Sequence, residues 1–118
     1  MRDLWGEAHE YFMYLKYARE EADNKANTEA ILDLLERLRN DRRFQQVRPR
    51  PHVMGLLLIA PTTTPRTVYI AFLRERSAYM LIYHFIAEVI PENTIFVDTT
   101  EILEVLSRFV NEDEVTRS

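Results

Sequence analysis

The stretch TVYIAFLRERSAYMLIYHFIA, residues 67–87, decides the fold. Its two halves, 67–74 and 78–87, are rich in β-branched and aromatic side chains, and the polar tripeptide Glu75-Arg76-Ser77 parts them. That spacing predicts two antiparallel strands joined by a short turn. In the second strand Tyr79, Leu81, Tyr83 and Phe85 alternate with Met80, Ile82, His84 and Ile86, so neither face is plainly solvated. One face is expected to meet helices. The other must be covered by something else, because a large bare apolar face is costly in water.

Upstream, residues 53–60 (VMGLLLIA) form an unbroken apolar run that predicts a buried strand, in which Gly55 marks a bulge or a close backbone approach. The run ends at Pro61-Thr62-Thr63-Thr64-Pro65. Before it, Pro49 and Pro51 exclude a continuing helix and predict an extended connection. Earlier still, Leu4, Ala8, Tyr11, Phe12, Leu15, Ala18 and Ala22 recur at helical spacing and predict a first helix over 4–22. Trp5, Met13, Tyr14 and Tyr17 widen its stripe, which implies either packing on two sides, the first expectation, or an aromatic surface left for a partner. The polar run Asp23-Asn24-Lys25-Ala26-Asn27 predicts a break, after which Asn27 or Thr28 caps a second helix that buries Ile31, Leu34, Leu35 and Leu38. A short break makes the pair an antiparallel hairpin.

Downstream, Pro91-Glu92-Asn93 predicts a turn into a short strand over 94–97. Asp98-Thr99-Thr100-Glu101 then fits a capping box, with Asp98 or Thr99 as the cap of a closing helix that carries Ile102, Leu103, Val105, Leu106, Phe109 and Val110. Residues 110–118 read as a frayed tail. Helices and strands come in runs rather than alternating, which predicts a single α+β domain over 1–118. It comprises an N-terminal helical hairpin, a three- to four-stranded antiparallel meander and a C-terminal helix.

The chain has 118 residues, of which 47% are apolar and 29% charged, with two glycines and no cysteine. These values fit one ordinary globular domain and exclude a disulfide framework or a thiolate zinc site. The opening MRDLWGEAHE is unlike a secretory signal, and no apolar run is long enough to span a bilayer. A soluble cytoplasmic protein with no membrane partner is the expectation.

Charge is unevenly distributed. The net charge is -4, yet RLRNDRRFQQVRPRPH, residues 37–52, gathers six arginines with Asp41 as its one acid. Arginines there can offset the negative end of a helix dipole, grip phosphates, or meet the carboxylates of an acidic protein. The candidate binding residues are Arg39, Arg42, Arg43, Arg48, Arg50 and His52, extended by Arg74 and Arg76 at the end of the second meander strand. Tyr69, Tyr79 and Tyr83 are candidate interface residues on the long strands.

Catalytic patterns are missing from the sequence. His9, His52 and His84 lack ligand spacing, two glycines cannot make a phosphate loop, and the serines stand in no nucleophile elbow. No cofactor, metal or small-molecule substrate is expected. The expected function is that of a small non-enzymatic binding or regulatory protein of the inhibitor, antitoxin or immunity type. It would act through the arginine patch and an aromatic sheet face, and a homodimer would cover that face. Its partner would be an acidic protein, or alternatively RNA or DNA.

The order helix, helix, meander, with arginines before and between the strands and YMLIY at 79–83, is loosely similar to RelE-like ribosome-dependent toxins over residues 28–97. The resemblance implies cleavage of RNA with Arg74, Arg76 and Tyr83 as the residues to test. The chain departs from that family's pattern at Met80, where arginine is common, in lacking a strand before the helices, and in its acidic charge.

Overall fold

Residues 78–85 form the expected strand, and they sit one position from the edge of a five-stranded sheet. The computed structural model of the chain describes residues 3–18, 22–52, 55–60, 66–85 and 88–111. The elements are α1 (Leu4–Ala18), α2 (Ala22–Arg39), a 3-10 turn (Arg42–Phe44), β1 (Arg48–His52), β2 (Gly55–Ile59), β3 (Arg66–Leu73), a second 3-10 turn (Arg74–Arg76), β4 (Ala78–Phe85), β5 (Glu88–Val97) and α3 (Ile102–Asn111). The strands pair in chain order as an antiparallel meander, β1-β2-β3-β4-β5. The molecule is α+β, with one more strand than the three or four expected.

The extra strand is the segment read as an extended connection. Arg48–His52 pairs antiparallel with Gly55–Ile59. Proline has no amide hydrogen, so Arg48, Arg50 and His52 must carry the ladder to β2 while Pro49 and Pro51 turn their donorless nitrogens to the free edge. An edge with missing donors resists the addition of another strand. Two prolines are therefore compatible with β1 because nothing pairs on its far side.

Two further boundaries differ from expectation. The polar run 23–27 does not break the helix, since α2 begins at Ala22. Its polar side chains find other partners: the Thr28 hydroxyl donates to the Asn24 carbonyl one turn back (2.8 Å), and buried Asn27 accepts the Phe72 amide through Oδ1 (2.7 Å). Phe72 lies two residues past Ile70, the last residue of β3 paired with β2 among those described, and Asn27 supplies the acceptor for its amide. Likewise Pro91-Glu92-Asn93 makes no turn between strands, because it falls inside β5. The register instead shifts there, from Ile82 opposite Thr94 to His84 opposite Val89, and an irregularity on an edge strand absorbs the proline. Of the frayed tail expected over 110–118, Val110 and Asn111 belong to α3, and the rest, from 112 onward, lies outside the described residues.

All three helices contribute to one layer. The α1 helix packs against α2 and β1, α2 lies over β2 and β3, and α3 packs against the first 3-10 turn. Asp3 starts α1 by accepting the Gly6 amide (3.1 Å), and its other oxygen receives Arg39 from the end of α2 (3.0 Å), which closes the hairpin. Asp98 caps α3 as expected, accepting the amides of Thr100 and Glu101 at 3.0 Å each. Its carboxyl is held below the ordinary range, chiefly by the Thr100 hydroxyl. The core under this layer includes Phe12, Leu34, Leu35, Phe44, Leu58, Ile70, Leu81 and Ile102, all buried.

Tyr79 joins the two layers. It is 1% exposed, its hydroxyl donates to the Ala30 carbonyl of α2 (3.0 Å), and its ring meets Phe72 edge-on at 5.3 Å. Burial, with the Asp33 charge adding to it and Arg37 opposing, pushes the phenol from 10.0 to about 12. A raised pKa means the folded state favours the neutral phenol. That contribution to stability is whole below pH 10 and is lost as pH rises through 12. The expected result is a urea midpoint that falls between those two values in the parent and falls less in Tyr79→Phe. Equal pH dependence in the two proteins would remove Tyr79 from this role.

Candidate binding surface

The arginine run does not act as one patch. Arg39 is held by Asp3 at 3.0 Å, and Arg37 donates to the Thr99 carbonyl (2.9 Å) with Asp33 3.9 Å away. Arg43 pairs with Asp41 (2.8 Å) and with Glu104 of α3 (3.2 Å), while its guanidinium lies 5.7 Å from the Phe44 ring centre. Hydrogen bonds from Arg43 hold the Asp41 carboxyl below its ordinary range, and Asp41 in turn raises the arginine. These three arginines tie α1, α2, the 3-10 turn and α3 together. Arg42 is exposed on the same turn.

Arg48, Arg50 and His52 go elsewhere. They are exposed and lie opposite Ile59, Leu57 and Gly55 in the β1–β2 register, on the face of the sheet away from the helices. Among the described residues no carboxylate pairs with Arg48 or Arg50. The register carries that face onward through Tyr69 and Ala71, Ile82 and Met80, then Thr94 and Phe96. No described helix covers it. Leu57, Ile59, Tyr69, Met80 and Ile82 are half-buried by one another, and Phe96 is 43% exposed.

Gly55 shapes the middle of this face. The expected bulge is absent from the β1–β2 register, and the close approach is present: a Cβ at Gly55 would stand 2.5 Å from the Ile70 carbonyl oxygen and 2.6 Å from the Tyr69 ring. Tyr69 thus lies across the glycine, and its edge-on partner is His52 at 5.6 Å. Burial raises the Tyr69 hydroxyl above its ordinary value. At the other margin the Arg76 guanidinium stacks 3.8 Å from the Phe96 ring centre, which puts a cation on the β5 side.

The remaining sequence candidates are dispersed. Arg74 sits in the second 3-10 turn, beside a cavity of about 220 Å³ that Asn24, Asn27, Leu73 and Glu75 also line. Tyr83 is five residues into β4, roughly 17 Å along the strand from that turn, so the backbone does not bring it to Arg74 and Arg76. The Tyr83 side chain lies outside those described. Tyr79, buried against α2, is taken out of any surface. Phe96 was absent from the sequence candidates. Its signal was present in the alternation of 94–97, but only the β4–β5 register shows that Phe96 shares a face with Met80.

Among the described residues no group of three or more histidines, aspartates or glutamates is placed to hold a metal ion, and no helix is long and apolar enough to cross a membrane. Compared with protein-family models, curated proteins and solved structures, the chain matches none.

Proposed function

We propose that the protein is a non-enzymatic binding protein that engages an anionic partner through the helix-free face of its sheet. One observation carries this reading: the face brings together apolar and aromatic side chains that no described helix covers and two arginines of the run, Arg48 and Arg50, that, like Arg42 on the 3-10 turn, have no carboxylate partner among the described residues. Among the residues of that face whose side chains are described, from Arg48, Arg50 and His52 across to Thr94 and Phe96, none is an aspartate or glutamate, although the chain contains nineteen acids. A local excess of positive charge on a protein of net negative charge attracts anions to that face. A second copy over the same face is the competing occupant.

Retention on immobilised heparin tests the reading. With a net charge of -4 the protein has no overall reason to be held, so retention at low salt reports the local face. Arg48→Glu with Arg50→Glu is expected to abolish retention while the far-UV circular dichroism stays that of the parent. A parent that flows through, or a double variant retained as well as the parent, would count against the proposal.

A further inference from the structure

Resting on the reading above, we infer that the anionic partner is a single-stranded nucleic acid, with its bases stacked on Tyr69 and Phe96 and its phosphates held by Arg48, Arg50 and Arg76. Three features of the face converge on that chemistry.

The first is the pairing of rings with cations. Arg48 and Arg50 line the β1 side and Arg76 the β5 side, so positive charge brackets the aromatic and apolar middle. An acidic peptide would pair its carboxylates with the arginines but carries no ring at every unit to stack on the aromatics. Unpaired bases use the rings too, because every base offers a π-face that stacks without regard to sequence. The second is accessibility. Phe96 keeps 43% of its surface exposed while Arg76 covers one side of its ring, an arrangement in which a base can add to the existing stack. The third is shape. Five strands give a platform roughly 19 Å across, wide enough for a few splayed nucleotides. Among the described residues no helix or ribbon protrudes from it of the kind that enters a duplex groove. The donorless β1 edge, with Pro49 and Pro51, also excludes strand addition as the mode of engagement at that margin.

The groove outside β1, about 430 Å³ and lined by Leu4, Glu7, Arg48, Pro49, Arg50 and Ile59, continues the path beyond the platform. Glu7 gives that margin a negative charge, so a phosphate is expected to stop at Arg48 and Arg50 rather than cross it.

The test is fluorescence anisotropy of the full chain with labelled single-stranded RNA, the matching single-stranded DNA, an RNA duplex and inorganic polyphosphate. Sedimentation velocity of the free protein runs beside it. Single strands should bind at least tenfold more tightly than duplex or polyphosphate, and RNA against DNA reports whether the 2′-hydroxyl is contacted. With three arginines on phosphates, affinity should fall about twenty-fold when salt rises about fourfold. Phe96→Ala, at an exposed site, should weaken single-strand binding about tenfold and polyphosphate binding far less, through the lost support of Arg76 alone.

Equal affinity for polyphosphate and single strands, with Phe96→Ala silent, would overturn this inference while leaving an anion-binding face standing. Absence of binding to every polyanion would overturn both readings. A dimer that Phe96→Asp converts to monomer would assign the face to a second copy and overturn the nucleic-acid inference.

Discussion

Phe44→Ala is expected to lower the unfolding free energy by about 3–5 kcal/mol, the range for truncating a buried aromatic ring. Phe44 is 0% exposed although it sits in a three-residue 3-10 turn. Short turns are usually surface features, and this one is pinned from both sides. Asp41 caps it by accepting the Arg43 amide at 2.9 Å, and Arg43 reaches Glu104 of α3. The ring is thereby driven into the core shared by α2, the sheet and α3. Removing it leaves a cavity at the joint of three elements, where inward collapse would have to shift all of them. A domain of this size has about 5–15 kcal/mol of total stability, so the loss is a large part of the whole. Urea denaturation measures it, and Phe44→Leu, which keeps most of the volume, should recover more than half. A cost below about 1 kcal/mol for the alanine variant would mean that the ring carries little of the packing.

Gly55→Val is the second large effect, expected at about 3 kcal/mol or more, at the upper end for overpacking. The reason is proximity and not backbone conformation, since no described glycine has a positive φ. A Cβ would meet the Ile70 carbonyl oxygen at 2.5 Å and the Tyr69 ring at 2.6 Å. A side chain can move aside, but a carbonyl in the β2–β3 region moves only with its strand. Even Gly55→Ala should destabilise, and combining it with Tyr69→Ala should cost less than the two changes added together, because the ring half of the conflict is then gone. Full additivity in that cycle, or a valine variant as stable as the parent, would show that β2 and β3 can part without penalty. The same glycine lets Tyr69 lie flat over the strand beside His52, so its replacement is also expected to disturb the proposed platform.

How much of this was legible in the sequence depends on the range of the interaction that decides each feature. Local patterns held where local physics decides. The alternation of 78–85 and the turn at 75–77 gave the meander, Asp98 gave the cap of α3, and the apolar spacing of 31–38 gave the buried stripe of α2. Local signals failed where a distant partner could satisfy the same groups. The polar run at 23–27 looks like a break until Asn27 is seen to bond the Phe72 amide 45 residues away. Pro49 and Pro51 read as an extended connection until β1 is seen to pair with β2 as an edge strand. Pro91-Glu92-Asn93 looks like a turn until β4 carries β5 past it.

The candidate surface divides in the same way. Composition and local periodicity determined that the chain is acidic and α+β with its arginines gathered in one segment, because charge counts and periodicities are properties of neighbours in sequence. Only the tertiary structure decided which arginines are used up. Asp33 and Asp41 are local partners of Arg37 and Arg43, but the fold adds Asp3 to Arg39 and Glu104 to Arg43, whereas Arg48 and Arg50 emerge on the far side of the sheet. The pairing of Arg76 with Phe96, and the sharing of one face by Tyr69 and Phe96 across three strands, follow from strand register. Register is fixed by which faces are buried against the helices, and no local window of the sequence contains that information.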